Sequence, residues 1–197
     1  HLQKPEVRRI AEEQGLVTAN KKDSQGLCFI GKVHLPEFLQ QQLKAKKGDI
    51  IEIPKDSSIY NTEATDNINI LTAPYIHKQE NGAVVGQHNG AHFFTIGQRK
   101  GLGVGGKIEP LFVIGTDVKE NIVYTGQGHD HPGLNRKGLF IASNEVHWTR
   151  QDLKMQPNEE KEFLTRIRYR QDLSPATLKM RDDGLYIIFH EIQRGVA

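Results

Sequence analysis

The chain of 197 residues is poor in cysteine, tryptophan and methionine: one, one and two residues respectively. A single cysteine, Cys28, excludes an intrachain disulfide and any multi-cysteine zinc site. It fits a reducing compartment, so a cytoplasmic protein is expected. No apolar run approaches the ~20 residues needed to span a bilayer, so no membrane partner is expected. Residues 1–9 are polar and charged, with no apolar h-region of a secretory leader. The chain also lacks a strong charge imbalance. Its 26 basic and 24 acidic residues leave a net charge of +2, too mild to argue nucleic-acid binding by itself. At 37% hydrophobic and 25% charged residues, the composition is that of a folded globular chain.

What is present begins around the lone thiol, in Lys21-Lys22-Asp23-Ser24-Gln25-Gly26-Leu27-Cys28-Phe29-Ile30-Gly31. From spacing alone Cys28, between Leu27 and Phe29, reads as a small buried apolar residue. The alternative is a reactive thiolate, exposed between two glycines and near the charges of Lys21 and Lys22. Basic residues gather elsewhere at Lys44, Lys46 and Lys47, at Arg99-Lys100, and at Arg166, Arg168 and Arg170. Each cluster reads either as a solvated face or as a phosphate contact.

Periodicity predicts a mainly β chain with a few helices, of the α+β class. An amphipathic helix of about ten residues starts near Pro5 and stops at Gly15. A second helix is predicted over about 35–46, with its lysines at the negative end of the macrodipole. A short strand follows at 49–54. Residues 55–80 lose all pattern and read as an insertion without chemistry of its own. Residues 83–87 and 92–96 read as a hairpin about His88-Asn89-Gly90. The glycine-rich stretch 97–107 lets backbone approach a ligand. It lacks the Lys-Ser/Thr ending of a P-loop and opens no helix.

Strands are then predicted at 111–117, 121–125, 139–148, 162–169, 176–180 and 185–189, with a turn at Asp182-Asp183-Gly184. This spacing predicts a small antiparallel β-barrel. Phe163, Thr165, Ile167 and Tyr169 share one face of their strand; Leu164, Arg166, Arg168 and Arg170 share the other. Arginine forks match phosphate oxygens, and Tyr169 stacks on a base or fills the core. His129-Asp130-His131 has no third ligand at helical spacing, so no metal is predicted.

Four stretches in order resemble the tRNA-specific 2-thiouridylases. They are Lys4-Pro5-Glu6-Val7-Arg8, Asp23–Gly31, Thr95-Ile96-Gly97-Gln98-Arg99-Lys100-Gly101-Leu102-Gly103, and Arg168-Tyr169-Arg170-Gln171. The resemblance implies a sulfurtransferase acting on the wobble uridine of tRNA, with Cys28 carrying sulfur as a persulfide. It implies tRNA contacts, through the anticodon arm, at Arg168, Tyr169 and Arg170 and at Arg99 and Lys100. It implies ATP, bound by an N-terminal domain outside this sequence, and a second cysteine there that resolves the persulfide as a disulfide. A sulfur-relay protein or cysteine desulfurase is the implied donor. On this reading residues 1–31 are the tail of the catalytic domain and 32–107 a small central α/β-type domain. Residues 108–197 are a barrel resembling translation-factor barrels, cut short at its end. The fragment alone is expected to be inactive. Two other classes stay open: a non-catalytic RNA-binding module with Cys28 as core, and a cysteine hydrolase using His88, His92 or His147.

Overall fold

The computed structural model describes residues 3–16, 19, 45–61, 65–168 and 171–196. It separates into two compact units, residues 1–44 and 45–197. Within the first, helix α1 (Lys4–Glu13) has proline in its first turn and an Arg9–Glu13 pair along its exposed side. Beyond its end the Leu16 amide donates to the Ala11 carbonyl, closing the last turn at Gly15, as the glycine predicted. Residues 35–44 of the predicted second helix lie outside the described residues, as does Cys28.

The second unit is built on two four-stranded sheets. The first contains β1 (Gly48–Glu52), β2 (Ala83–His88), β3 (Leu111–Asp117) and β4 (Ile122–Gln127), in the order β2-β1-β4-β3. β1 pairs antiparallel with β2 but parallel with β4. Its central strands are apolar on both faces because both faces are covered. Ile51, Phe112, Ile114 and Tyr124 pack on one side with Tyr60 and Leu134. Ile50, Val113 and Val123 pack on the other with Ala91 and Leu102. The glycine-rich stretch is thus the lid of one face, anchored by Leu102 and Val104.

The described part of residues 55–80, predicted to be an unpatterned insertion, covers the opposite face. Tyr60 is buried there, Tyr75 meets its ring edge-on at 5.1 Å, and a short helix α2 (Ile68–Thr72) buries Thr72. Isolated aromatic residues in a polar stretch gave no period to read, yet each fills a place in the core.

The second sheet contains β5 (Asn135–Ala142), β6 (Glu160–Thr165), β7 (Ser174–Met180) and β8 (Gly184–Arg194), all antiparallel, in the order β5-β8-β7-β6. Its core face holds Ala176, Leu178, Leu185 and Phe189 beneath Met155, Val146 and Trp148.

Two expectations are corrected here. The predicted barrel is not formed. Among the described residues neither sheet closes, because β5 and β6 each have one partner and stand at opposite edges. The β6 edge carries Glu160, Lys161 and Glu162, charges that discourage further pairing, and α2 lies against β5 and β8. The expected central α/β-type domain is instead a strand-rich sheet faced by loops and short helical turns.

The hairpin about Asn89-Gly90 is absent too. β2 pairs with β1, and residues after Gly90 enter a single 3-10 turn at Ala91–Phe93. Asn121 is the cause. Its side chain accepts from the Ala91 amide at 3.0 Å and donates to the carbonyls of Lys46 and Lys47 at 3.0 and 2.9 Å. That fastens residues 46, 47 and 91 to the β3–β4 turn and turns the chain away from a second strand. No helix in the described residues is long and apolar enough to cross a membrane.

Candidate nucleic-acid interface

Residues 95–100 form a turn that stands on β3. The Gly97 amide donates to the Val113 carbonyl at 2.8 Å, and the Val113 amide returns a bond to the Gln98 carbonyl at 2.9 Å. The Gln98 side chain accepts from the Thr95 amide and donates to the Lys100 carbonyl, at 3.2 and 2.8 Å. A turn pinned this way presents Arg99 and Lys100 to solvent at its tip.

Past Thr165 the alternation of β6 continues without ladder pairing. Phe163, Thr165 and Ile167 are partly covered; Leu164, Arg166 and Arg168 are exposed. The segment is held by side chains instead. The Ile167 amide donates to Gln171 Oε1 at 3.1 Å, and Gln171 Nε2 donates to Gln193 Oε1 at 2.6 Å. Gln193 in turn reaches Ser174 Oγ at 3.0 Å.

From this braced position Arg168 Nη2 donates to the carbonyls of Ile96 and Gly195, at 3.2 and 2.5 Å. The contact joins the two sequence-predicted basic sites. Arg168 lies against the turn that carries Arg99 and Lys100, although Arg168 and Ile96 are 72 residues apart in sequence. Arg168 is therefore a clamp between backbone segments as well as an exposed cation. Tyr169, Arg170 and Cys28 fall outside the described residues; of the three predicted site residues that are described, Arg168 lies against the turn that carries the other two.

Three of the histidines, His88, His129 and His131, have partners of their own. His131 Nδ1 accepts from the Gly133 amide at 3.1 Å, and its Nε2 lies 3.0 Å from the Ile53 carbonyl. Asp130 pairs with Lys55 at 2.7 Å, and His129 lies 3.3 Å from Arg194. His88 Nδ1 accepts from the Gly90 amide at 2.9 Å, and burial lowers its pKa. No group of three metal-binding side chains occurs among the described residues. The stretch 97–107 leads into β3 and opens no helix, so it does not fit a P-loop for ATP.

Sequence reasoning missed Arg136 and Tyr75. Arg136, at the start of β5, is half-buried and donates to the Thr72 carbonyl at 2.7 Å. Burial pulls its pKa down. A signal was available: Arg-Lys-Gly-Leu occurs twice, at 99–102 and at 136–139.

Three family models match the chain, in order. Residues 1–32 match a tRNA methyl transferase HUP domain, residues 71–127 a tRNA methyl transferase PRC-barrel domain, and residues 139–197 an aminomethyltransferase beta-barrel domain. Those matches place the chain among proteins of the tRNA-modification class. Its whole length aligns with a tRNA-specific 2-thiouridylase MnmA of Christiangramia forsetii at 56% identity and with one of Flavobacterium johnsoniae at 53%, covering 51% of each. An enzyme of the same name from Streptococcus thermophilus is 40% identical over the whole chain and 45% of its own length. The chain belongs to the tRNA-specific 2-thiouridylase family. It spans about half the length of the curated relatives it matches.

Proposed function

We propose that this chain supplies the sulfur-carrying cysteine and part of the tRNA-binding surface of an enzyme that 2-thiolates the wobble uridine of tRNA. The observation that carries the reading is the alignment of the whole chain, Cys28 loop included, with 2-thiouridylases at 56% identity. The geometry adds support: Arg168 is held against the carbonyl of Ile96, in the turn that presents Arg99 and Lys100. A polyanion binds such a surface by neutralising phosphates and releasing counterions. Tyr169 and Arg170 extend the same segment.

In this reading ATP belongs to residues outside this chain and supplies activation of the uridine C2 oxygen as a leaving group. Cys28 carries the sulfur. The terminal sulfur of its persulfide forms the bond to C2 as the activated oxygen departs. A second thiol, not from this chain, then attacks the Cys28 sulfur. That step breaks the S–S bond, forms a disulfide and releases 2-thiouridine, and a reductant restores both thiols. Persulfide chemistry requires a thiolate in an electropositive setting, which Lys21 and Lys22 supply in sequence. The sulfur reaches Cys28 from a relay protein or a cysteine desulfurase, and the enzyme works in the cytoplasm.

The test is incubation of the chain with a persulfide donor, read by intact-mass spectrometry, together with tRNA binding at several salt concentrations. Gain of one sulfur atom, lost in Cys28→Ser, and a negative slope of log affinity against log salt are expected. A thiol inert to both persulfide donor and alkylating reagent would reduce the chain to an RNA-binding module.

A further inference from the structure

Two clefts lie side by side on the second unit, with volumes of about 510 and 900 Å³. They share Pro74, Tyr75, Ile76 and Arg136, so they form one groove with a guanidinium at its waist. Their sizes are those of small-molecule sites, roughly 300–1,000 Å³ each. The smaller cleft is lined by Tyr75 and His77, both half-buried, with Thr95, Thr116 and Asp117 as polar groups.

Arg136 is the unusual member. It has no carboxylate partner among the described residues. A half-buried cation without a counter-ion carries a desolvation cost that an incoming anion relieves. Its protein bond is the one to the Thr72 carbonyl, which leaves other guanidinium N–H groups free for a ligand. His77, on the same wall, is kept neutral by burial, which holds its pKa near 4, so it acts as a flat uncharged surface.

The groove also meets the basic site. Ile96 and Val196 line it, and Arg168 grips the carbonyls of Ile96 and Gly195. A polyanion lying on Arg99, Lys100 and Arg168 therefore runs along the rim of the smaller cleft. Much of the groove comes from residues outside the three family-model matches: Ile59, Asp66, Asn69 and Ile70 precede residue 71, and Arg136 falls between residues 127 and 139.

We propose that this groove binds one nucleotide unit, with the phosphate on Arg136 and the base against Tyr75 and His77. Aromatic walls accept any base by stacking, and a guanidinium fork accepts phosphate in a bidentate pair. Thr95, Thr116 and Asp117 offer acceptors and donors for ribose hydroxyls or base edges. The nucleotide comes either from an RNA chain, unstacked into the groove, or from solution. The first source rests on the RNA-binding reading above; the second does not.

The experiment is an NMR titration of the isotope-labelled 197-residue chain with uridine and adenosine 5′-monophosphates, repeated in the presence of tRNA. Shifts at Tyr75, Thr95 and Arg136 are expected. Arg136→Gln is expected to weaken binding about tenfold, the scale of a lost charge-assisted pair. Because Arg136 also ties Thr72, Ile76→Glu is the second variant: Ile76 is 72% exposed, so a carboxylate there opposes the phosphate without entering the core. Competition by tRNA identifies the RNA chain as the source; mononucleotide binding indifferent to tRNA identifies a free nucleotide.

The inference is overturned if neither mononucleotide shifts the groove and Ile76→Glu binds tRNA as tightly as the parent. Capture of an acidic peptide in place of a nucleotide overturns it as well. In either case tRNA binding through Arg99, Lys100 and Arg168 leaves the proposed function standing. Loss of all tRNA binding by the parent chain would sink that function, while the mononucleotide titration still decides the groove.

Discussion

The Arg168 guanidinium lies against Gly195, where a Cβ would fall 2.6 Å from Nη2. Gly195 also has φ +72°, a region that side chains rarely adopt. Gly195→Ala is therefore opposed twice, by backbone strain and by the guanidinium. It should lower stability by about 1–2 kcal/mol, the usual scale for a strained φ. It should also free Arg168 from both carbonyls. Urea unfolding measures the first effect. tRNA affinity measures the second, and a fall there beyond that explained by unfolding shows that the clamp positions the cation.

Asn121 holds three backbone groups with one amide while 5% exposed and at φ +57°. Asn121→Ala leaves the Ala91 amide and two carbonyls without that partner, a loss of about 2–4 kcal/mol in urea unfolding. Asn121→Asp keeps the acceptor for Ala91 but sets a carboxylate against the carbonyls of Lys46 and Lys47. It should be at least as destabilising, which separates loss of the amide donor from loss of size.

Acid should weaken the second unit through His77. Burial, with His131 nearby as a smaller contribution, holds its pKa at about 4, below the ordinary 6.5. The ring also lies on Gly115, where a Cβ would meet Nδ1 at 2.5 Å, so it has little room to move toward water. A folded-state pKa below the unfolded value means that the unfolded chain binds the proton more readily. Stability is then full above pH 6.5 and falls as pH drops toward 4. From pH 7.5 to 5.0 the loss assigned to His77 is about 2 kcal/mol. His131 and His88, also lowered by burial, shift the balance in the same direction. Urea unfolding at the two pH values checks the sum. His77→Phe should reduce the pH dependence by most of the His77 share, and an unchanged dependence would refute the assignment.

The legible parts of the fold were local. β3 and β4 follow from the apolar runs at 111–117 and 121–125. The Asp183-Gly184 turn placed β7 beside β8. The in-out alternation from Phe163 to Arg168 holds even where the ladder stops. What failed was set by distant partners. Asn-Gly at 89–90 makes a good hairpin turn alone, but Asn121 captures Ala91 and β1 captures β2. Strand spacing suggested a barrel, yet closure depends on whether two edge strands meet, which no periodicity encodes. Tyr60, Tyr75 and His77 sit in a polar stretch with no repeat, and only the face of the first sheet tells them where to pack. At the site, Arg168 and Arg99 were each visible as cations, but the contact that joins their segments spans 72 residues of sequence.

Salt dependence separates the roles of those cations. Arg99 and Lys100 are exposed at a turn held by backbone bonds, so replacing either with Ala should leave stability within about 0.5 kcal/mol. Each should flatten the slope of log tRNA affinity against log salt by about one unit if it meets one phosphate. Arg168→Ala should flatten the slope similarly but also cost about 1–2 kcal/mol, because the carbonyls of Ile96 and Gly195 lose their donor. Arg168→Lys keeps the charge and loses the two-carbonyl fork. It should restore most of the slope and little of the stability. A slope unchanged by Arg99→Ala, Lys100→Ala and Arg168→Ala together would move the RNA surface elsewhere and leave Arg168 a structural clamp alone.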